Sequence, residues 1–146
     1  MSREPVVELL RDLVGHPTVS NRPVDAIVQT LAERAEDAGG HVSVLESGPG
    51  KANVVARFGP HHRDGIVLSG HMDVVPTDGQ EWASDPYKLN EREGLLYGRG
   101  TADMKGFIAA ATTALHRLPL SKLERELVLA RDLVQDRAKD ELSMVH

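Results

Sequence analysis

Two short stretches of this 146-residue chain gather side chains that could do chemistry: Gly70-His71-Met72-Asp73 and Gly98-Arg99-Gly100-Thr101-Ala102-Asp103-Met104-Lys105-Gly106. An imidazole and two carboxylates can hold a divalent cation without thiolates, and the chain has no cysteine. Disulfides and thiolate zinc sites are thereby excluded. His71 and Asp73, two apart on extended chain, project to the same side. His71 could ligate a metal through one ring nitrogen, with Asp73 either a further ligand or the acceptor that orients the ring. The plainer alternative is a turn closed by a hydrogen-bonded Asp73. Asp103 precedes an apolar helical stretch and could simply cap its first turn. Gly98, Gly100 and Gly106 around it imply tight turning or close backbone approach, which a cap alone does not require.

The glycine spacing also invites a nucleotide reading, which the residues reject. A dinucleotide fingerprint wants a third glycine where Asp103 stands, and a P-loop wants Ser or Thr after Lys105, where Gly106 stands. A carboxylate in the middle of a phosphate cradle would repel its ligand.

The elements that must position these groups follow from apolar spacing. Val6, Val7, Leu9, Leu10, Leu13 and Val14 recur at helical period, and Gly15 and Pro17 end that helix. A second helix is signalled by Asn21, with Pro23 near its first turn, Val24, Ile27, Val28, Leu31, Ala32 and Ala35 as its apolar face, and Gly39-Gly40 as its stop. His41 to Glu46 alternates like a half-buried strand, Ser47 to Gly50 is a turn, and Asn53 to Phe58 is another strand. Ile66-Val67-Leu68, apolar on both faces, fits a strand buried inside a sheet covered by helices. Residues 76–94 read as polar loop, Leu95 to Tyr97 as a short strand, Met104 to Leu118 as a helix, and Glu126 to Ala130 as a last strand. Interleaved helices and strands favour an α/β layered domain. His71 to Asp73 directly follows the most apolar strand, and the crevice beyond strand carboxyl ends is where such sheets bind ligands. The tail from Arg131 to His146 mixes charges with scattered apolar residues and is expected to be a surface helix or disordered.

Composition bounds the partners. Net charge is -5, with 40% apolar and 27% charged residues, ordinary for a soluble domain. No Lys/Arg cluster marks a nucleic-acid footprint. No apolar run approaches the roughly 18 residues that span a bilayer, so neither nucleic acid nor membrane is expected and a cytoplasmic location is the default. The other histidines, His16, His41, His61, His62, His116 and His146, sit at helix ends, in a connector, on elements or at the terminus, with no shared donor pattern. Lys105 and Arg99 could contact site groups, with surface solvation the expected fate, and Trp82 reads as a loop anchor rather than a substrate contact.

His71-Met72-Asp73-Val74-Val75-Pro76 together with Tyr97 to Gly106 is similar to the zinc-dependent M20 family of amidohydrolases and peptidases. Gly50 to Asn53, Asp78 to Trp82 with Ser84-Asp85-Pro86, and Gly100 to Phe107 resemble its acetylornithine deacetylase branch. The similarity covers residues 1 to about 129. It implies a three-layer αβα catalytic domain of the zinc-peptidase type, here incomplete: residues 1–130 as its N-terminal part, 131–146 as an atypical tail, and the dimerisation domain absent. It implies that His71 ligates one zinc, that Asp73 orients His71 and tunes the site as a catalytic residue, and that Asp103 bridges two metals. Zinc is the implied cofactor, two ions in the complete enzyme, with cobalt possible. Such ions polarise the amide carbonyl and acidify a water. The implied substrate is a small N-acyl amino acid, N-acetylornithine, deacetylated in arginine biosynthesis by a homodimer when the enzyme is complete. Succinyl-diaminopimelate desuccinylase, dipeptidase or a non-catalytic fragment are the alternatives.

One departure stands out. Family members follow the last strand with an adjacent Glu-Glu pair, a general base and a metal ligand, whereas here Ala130 is followed by Arg131-Asp132-Leu133 and no Glu-Glu occurs. Asp140-Glu141 is the nearest imitation and lies well past the strand. The later acidic ligand and distant histidine are missing too, so the expectation is a partial enzyme.

Overall fold

A computed structural model describes residues 4–19, 22–61 and 64–132. Asn21, His62, and the tail from residue 133 onward, with Asp140-Glu141 and His146, lie outside the described residues.

Helix α1 (Glu4–Val14) buries Leu9, Leu10, Leu13 and Val14, the face its apolar period marked. Helix α2 (Asp25–Asp37) buries Ile27, Val28, Leu31 and Ala35 and stops at Gly39, whose φ of +86° only glycine adopts cheaply. Strands β1 (His41–Gly48) and β2 (Lys51–Phe58) form an antiparallel hairpin. Strand β3 (Ile66–His71) follows, then a small hairpin of β4 (Asn90–Arg92) and β5 (Leu95–Tyr97), helix α3 (Gly106–Leu115) and strand β6 (Leu127–Asp132). The turn joining β4 to β5 is Glu93-Gly94, with φ of 53° and 77°, the positive pair a tight two-residue hairpin needs. β4 is missed by apolar patterning because its three residues are all polar.

The four-stranded sheet has the order β1-β2-β6-β3. β6, last in sequence, inserts between β2 and β3, antiparallel to the first and parallel to the second. β3 therefore lies at an edge of the described sheet rather than inside it, with Ile66 and Val67 59% and 54% exposed. β1 forms the opposite edge, and Val44 and Leu45 are exposed where half-burial is expected from alternation. The α/β class holds. The described helices join one face of the sheet: Ala52 and Val54 share a core with α1, α2, Met72, Ile108 and Ala109, while Ala56, Phe58 and Leu129 share one with Ala35, Ala111 and Leu115. Each large apolar side chain taken fully from water, such as Leu13 or Ile27, contributes about 1.5–3 kcal/mol. No described helix is long and apolar enough to cross a membrane.

β6 runs two residues past the expected Ala130. Arg131 pairs with Val54 on one side and Gly70 on the other. Its side chain beds over the Phe107 ring at 5.7 Å, with Nη1 donating to Leu68 O at 2.9 Å and Ala130 O at 3.1 Å. Satisfying the backbone on both sides outweighs burying a cation here.

Glu126 ties the other end of the sheet. Its carboxylate accepts from Arg57 Nη1 at 3.1 Å and lies 3.2 Å from His61 Nδ1, and its carbonyl accepts from Ile66 N at 2.9 Å. Burial pushes this carboxyl up, but the hydrogen bonds and charges of His61 and Arg57 outweigh it and hold the group below its ordinary range. A lowered folded-state value means stability present above the unfolded-state pKa and lost as pH falls through the folded one. Glu126→Gln should lower unfolding stability at neutral pH by about 1–3 kcal/mol and remove part of its acid dependence. Urea unfolding at several pH values checks this, and parallel curves for both proteins would contradict it.

Candidate metal centre

His71 is the last residue of β3, at the carboxyl end of the parallel β3–β6 pair, where its register partner is Asp132. Beyond it Met72 turns into the core and is fully buried, leaving His71 and Asp73 on the site side. The segment after α1 pins this turn: Thr18 Oγ1 donates to Met72 O at 2.6 Å, and Val74 N donates to Thr18 O at 3.0 Å.

The second motif forms a tight turn, Thr101–Lys105, that runs directly into α3. Gly100 enters it at φ +81°, where a Cβ would lie 2.7 Å from Val74 Cγ1, and a Cβ on Gly106 would lie 2.3 Å from Thr101 O. The glycines serve close approach, as their clustering implies. Asp103 and Met104 depart from helical φ/ψ, and the peptide between them is cis. The capping alternative for Asp103 fails, because residue 105 is the N-cap of α3 and no side-chain cap bond forms. The Asp103 carboxylate instead reaches His71: Oδ1 lies 3.0 Å from Nε2, with the Asp103 side chain 86% exposed.

The other ring nitrogen explains the orientation. His71 Nδ1 lies 3.0 Å from the backbone carbonyl oxygen of Asp73 and 3.5 Å from its carboxylate Oδ1. A carbonyl oxygen only accepts, so Nδ1 carries a hydrogen and donates to it. In the neutral ring Nε2 then presents a lone pair to the Asp103 carboxylate. Two acceptors at 3.0 Å repel unless a proton or another cation lies between them. Two ligands each about 2.0–2.1 Å from one zinc stand roughly 3 Å apart when the angle at the metal is near 90°. The pair therefore fits two donors of a single ion. No group of three or more His, Asp or Glu side chains suited to a metal converges among the described residues, so the donors present do not by themselves close a metal site.

Lys105 overturns its expectation. Rather than solvated, it is 0% exposed, with Nζ donating to Leu13 O at 2.8 Å and His16 O at 2.6 Å. Burial lowers its pKa to about 8, opposed by the nearby charge of Asp73. Burial and then the Lys105 charge lower the His16 pKa, opposed by Asp12. Arg99 is half-buried, its Nη2 contacting Pro76 O and Gln80 Oε1, and it stacks 5.0 Å over Trp82, which anchors the loop as expected. His61 is exposed and bound to Glu126, His41 opens β1, and His116 is the C-cap of α3.

Residues 67–130 match the model of peptidase family M20/M25/M40, a span that includes both motifs. The chain is 43% identical over 101 residues to an acetylornithine deacetylase of Vibrio campbellii, covering 69% of this chain and 26% of that protein. It is 38% identical over 136 residues to one of Pectobacterium carotovorum, covering 87% and 35%. The chain thus spans about a third or less of the length of these relatives. Among solved structures, human carnosine dipeptidase 1 superposes with a TM-score of 0.77 at 26% identity, over 96% of this chain and 34% of that one. An M20 family metallo-carboxypeptidase of Sulfolobus solfataricus gives 0.80 at 20% identity over all of this chain and 36% of its own, a likeness of fold.

Gly100→Ala forces φ +81° on an L side chain, costing about 1–2 kcal/mol before any clash with Val74 is counted. The variant should unfold at lower urea concentration and show displaced His71 imidazole resonances by NMR. An unchanged midpoint and unchanged resonances would refute the close-approach account.

Proposed function

Because residues 67–130 of this chain belong to the M20/M25/M40 peptidase family, we propose that it carries part of the metal centre of an amide hydrolase acting on N-acyl amino acids, with N-acetylornithine as substrate. The observation that carries the reading is the His71 Nε2–Asp103 Oδ1 pair, held 3.0 Å apart at a strand carboxyl end. In this reading His71 and Asp103 are the metal-holding residues and Asp73 is the group that sets the ring. Zinc, or cobalt in its place, would supply Lewis acidity toward the amide carbonyl and a water.

Each residue has a separable task. Asp73 keeps the hydrogen on Nδ1, through its backbone carbonyl at 3.0 Å with its carboxylate nearby, and so leaves Nε2 bare. Asp103 offsets cationic charge, and its exposed carboxylate has a second oxygen free to serve a second ion in a fuller ligand set. Residues 1–130 form part of the catalytic domain in this proposal, and the tail after Ala130 stands outside the family pattern. We read the activity as serving arginine biosynthesis in the cytoplasm, and the complete enzyme as a homodimer. The substrate assignment is supported by the acetylornithine deacetylases at 43% and 38% identity. A dipeptidase reading has its own support in the likeness to carnosine dipeptidase 1.

Three side chains cannot close two zinc sites. Titrating the chain with cobalt(II) should give weak binding of one ion, lost in His71→Ala and in Asp103→Asn. The metal-loaded chain alone should not hydrolyse N-acetylornithine, succinyl-diaminopimelate or dipeptides measurably. Two tightly held ions, or binding indifferent to both substitutions, would overturn the assignment. Turnover of a dipeptide in preference to N-acetylornithine would shift it to the dipeptidase reading.

A further inference from the structure

We propose that Lys105 is a positioning residue for the metal centre: its ammonium, held by the carbonyl oxygens that end α1, fixes where the turn presents the Asp103 carboxylate to His71. The inference rests on the reading of His71 and Asp103 as metal-holding residues.

The argument begins with what little else holds Asp103. Its side chain is 86% exposed and makes its described contact with His71, so its location is set by the backbone of Thr101–Lys105. That turn leaves the helical path at Asp103 and Met104 and ends on Lys105, whose backbone N–H closes it on Gly100 O at 2.9 Å. The Lys105 side chain then passes into the interior and is fully buried. An ammonium with three donors is kept there by Leu13 O at 2.8 Å and His16 O at 2.6 Å. Leu13 lies in the last turn of α1 and His16 two residues beyond its end, where the helix dipole favours a cation. The side chain thus exchanges an adverse position at the start of α3 for a favourable one at the end of α1.

The same segment also locates the other half of the centre. Thr18, two residues beyond His16, exchanges hydrogen bonds with Met72 and Val74 on either side of Asp73. Residues 13–18 therefore act as a common bracket, gripping the His71 turn through Thr18 and the Asp103 turn through Lys105. Metal donors need to be held within about 0.5 Å of their working geometry, and supporting contacts one step removed typically change metal affinity 10–100-fold.

Lys105→Met keeps the length of the side chain and removes its charge and donors. Zinc affinity of the full chain should fall at least about tenfold, and the amides of residues 101–106 should exchange faster with solvent. Glu126→Gln, destabilised at a place far along the sheet, should keep wild-type zinc affinity within about twofold, a margin well below that tenfold effect. Equal zinc affinity in folded Lys105→Met, or an equal loss in Glu126→Gln, would overturn the proposal. If Lys105→Met does not fold, the wild-type chain decides: the Lys105 ammonium protons should be protected and should shift on addition of zinc. A zinc response at His71 with none at Lys105 would refute the role. Should the wild-type chain bind no zinc, the metal reading fails by itself. The positioning claim would still be judged by exchange at 101–106 and by the His71 ring resonances in the metal-free variant.

Discussion

Strand β6 has to satisfy hydrogen-bonding groups on both of its sides, and it does so by inserting between two strands that precede it by more than fifty residues of sequence. Among the described strands it is the partner of β3, and the parallel register aligns Gly70 with Arg131 and His71 with Asp132. The end of β3 becomes the end of a sheet rather than of a lone strand, which gives His71 a fixed height and direction. The apolar residues Val128, Leu129 and Ala130 are all buried in this interior position. The crossover from β3 to β6 contains α3, so the Asp103 turn that opens α3 is returned to the end of β3 where His71 stands.

Buried cations shape the ground beneath the carboxylates. Lys105 is compensated by two carbonyls, and Arg131 by Leu68 O, Ala130 O and the Phe107 face. Burial lowers the Arg131 pKa to about 10, opposed by Asp132, and no hydrogen bond forms at its Nε or Nη2 among the described residues. Lys105 near Asp73 and Arg131 near Asp132 thus set opposite charges side by side at the sheet end.

The imidazole is where structure and chemistry meet most directly. A backbone carbonyl on one side of His71 accepts from Nδ1, and in the neutral ring the carboxylate on the other side then faces a bare lone pair. Such an arrangement is costly as a neutral contact and favourable once positive charge lies between the two groups. With a neutral ring the pair would favour a cation between the two groups, which is what the proposed metal reading requires.

Local patterning determined a good deal. The apolar periods of α1 and α2, the hairpin strands, the strand ahead of His71 and the glycine-dense turn at Asp103 are legible because each obeys a short-range rule: helical period, alternation, or the need for a missing Cβ. The metal reading of His71, Asp73 and Asp103 rests on their types and strand-end placement, both visible in the sequence. Three things depended on tertiary structure. β3 could not be known as an edge, since strand order is set by which later segment inserts, and apolar runs look alike inside or at the rim. The choice between capping and reaching His71 could not be read for Asp103, because both need the same residue before the same helix. The burial of Lys105 was hidden because its acceptors are backbone carbonyls at residues 13 and 16, groups every residue carries and no sequence distinguishes. Only folding α1 against the start of α3 brings them within reach.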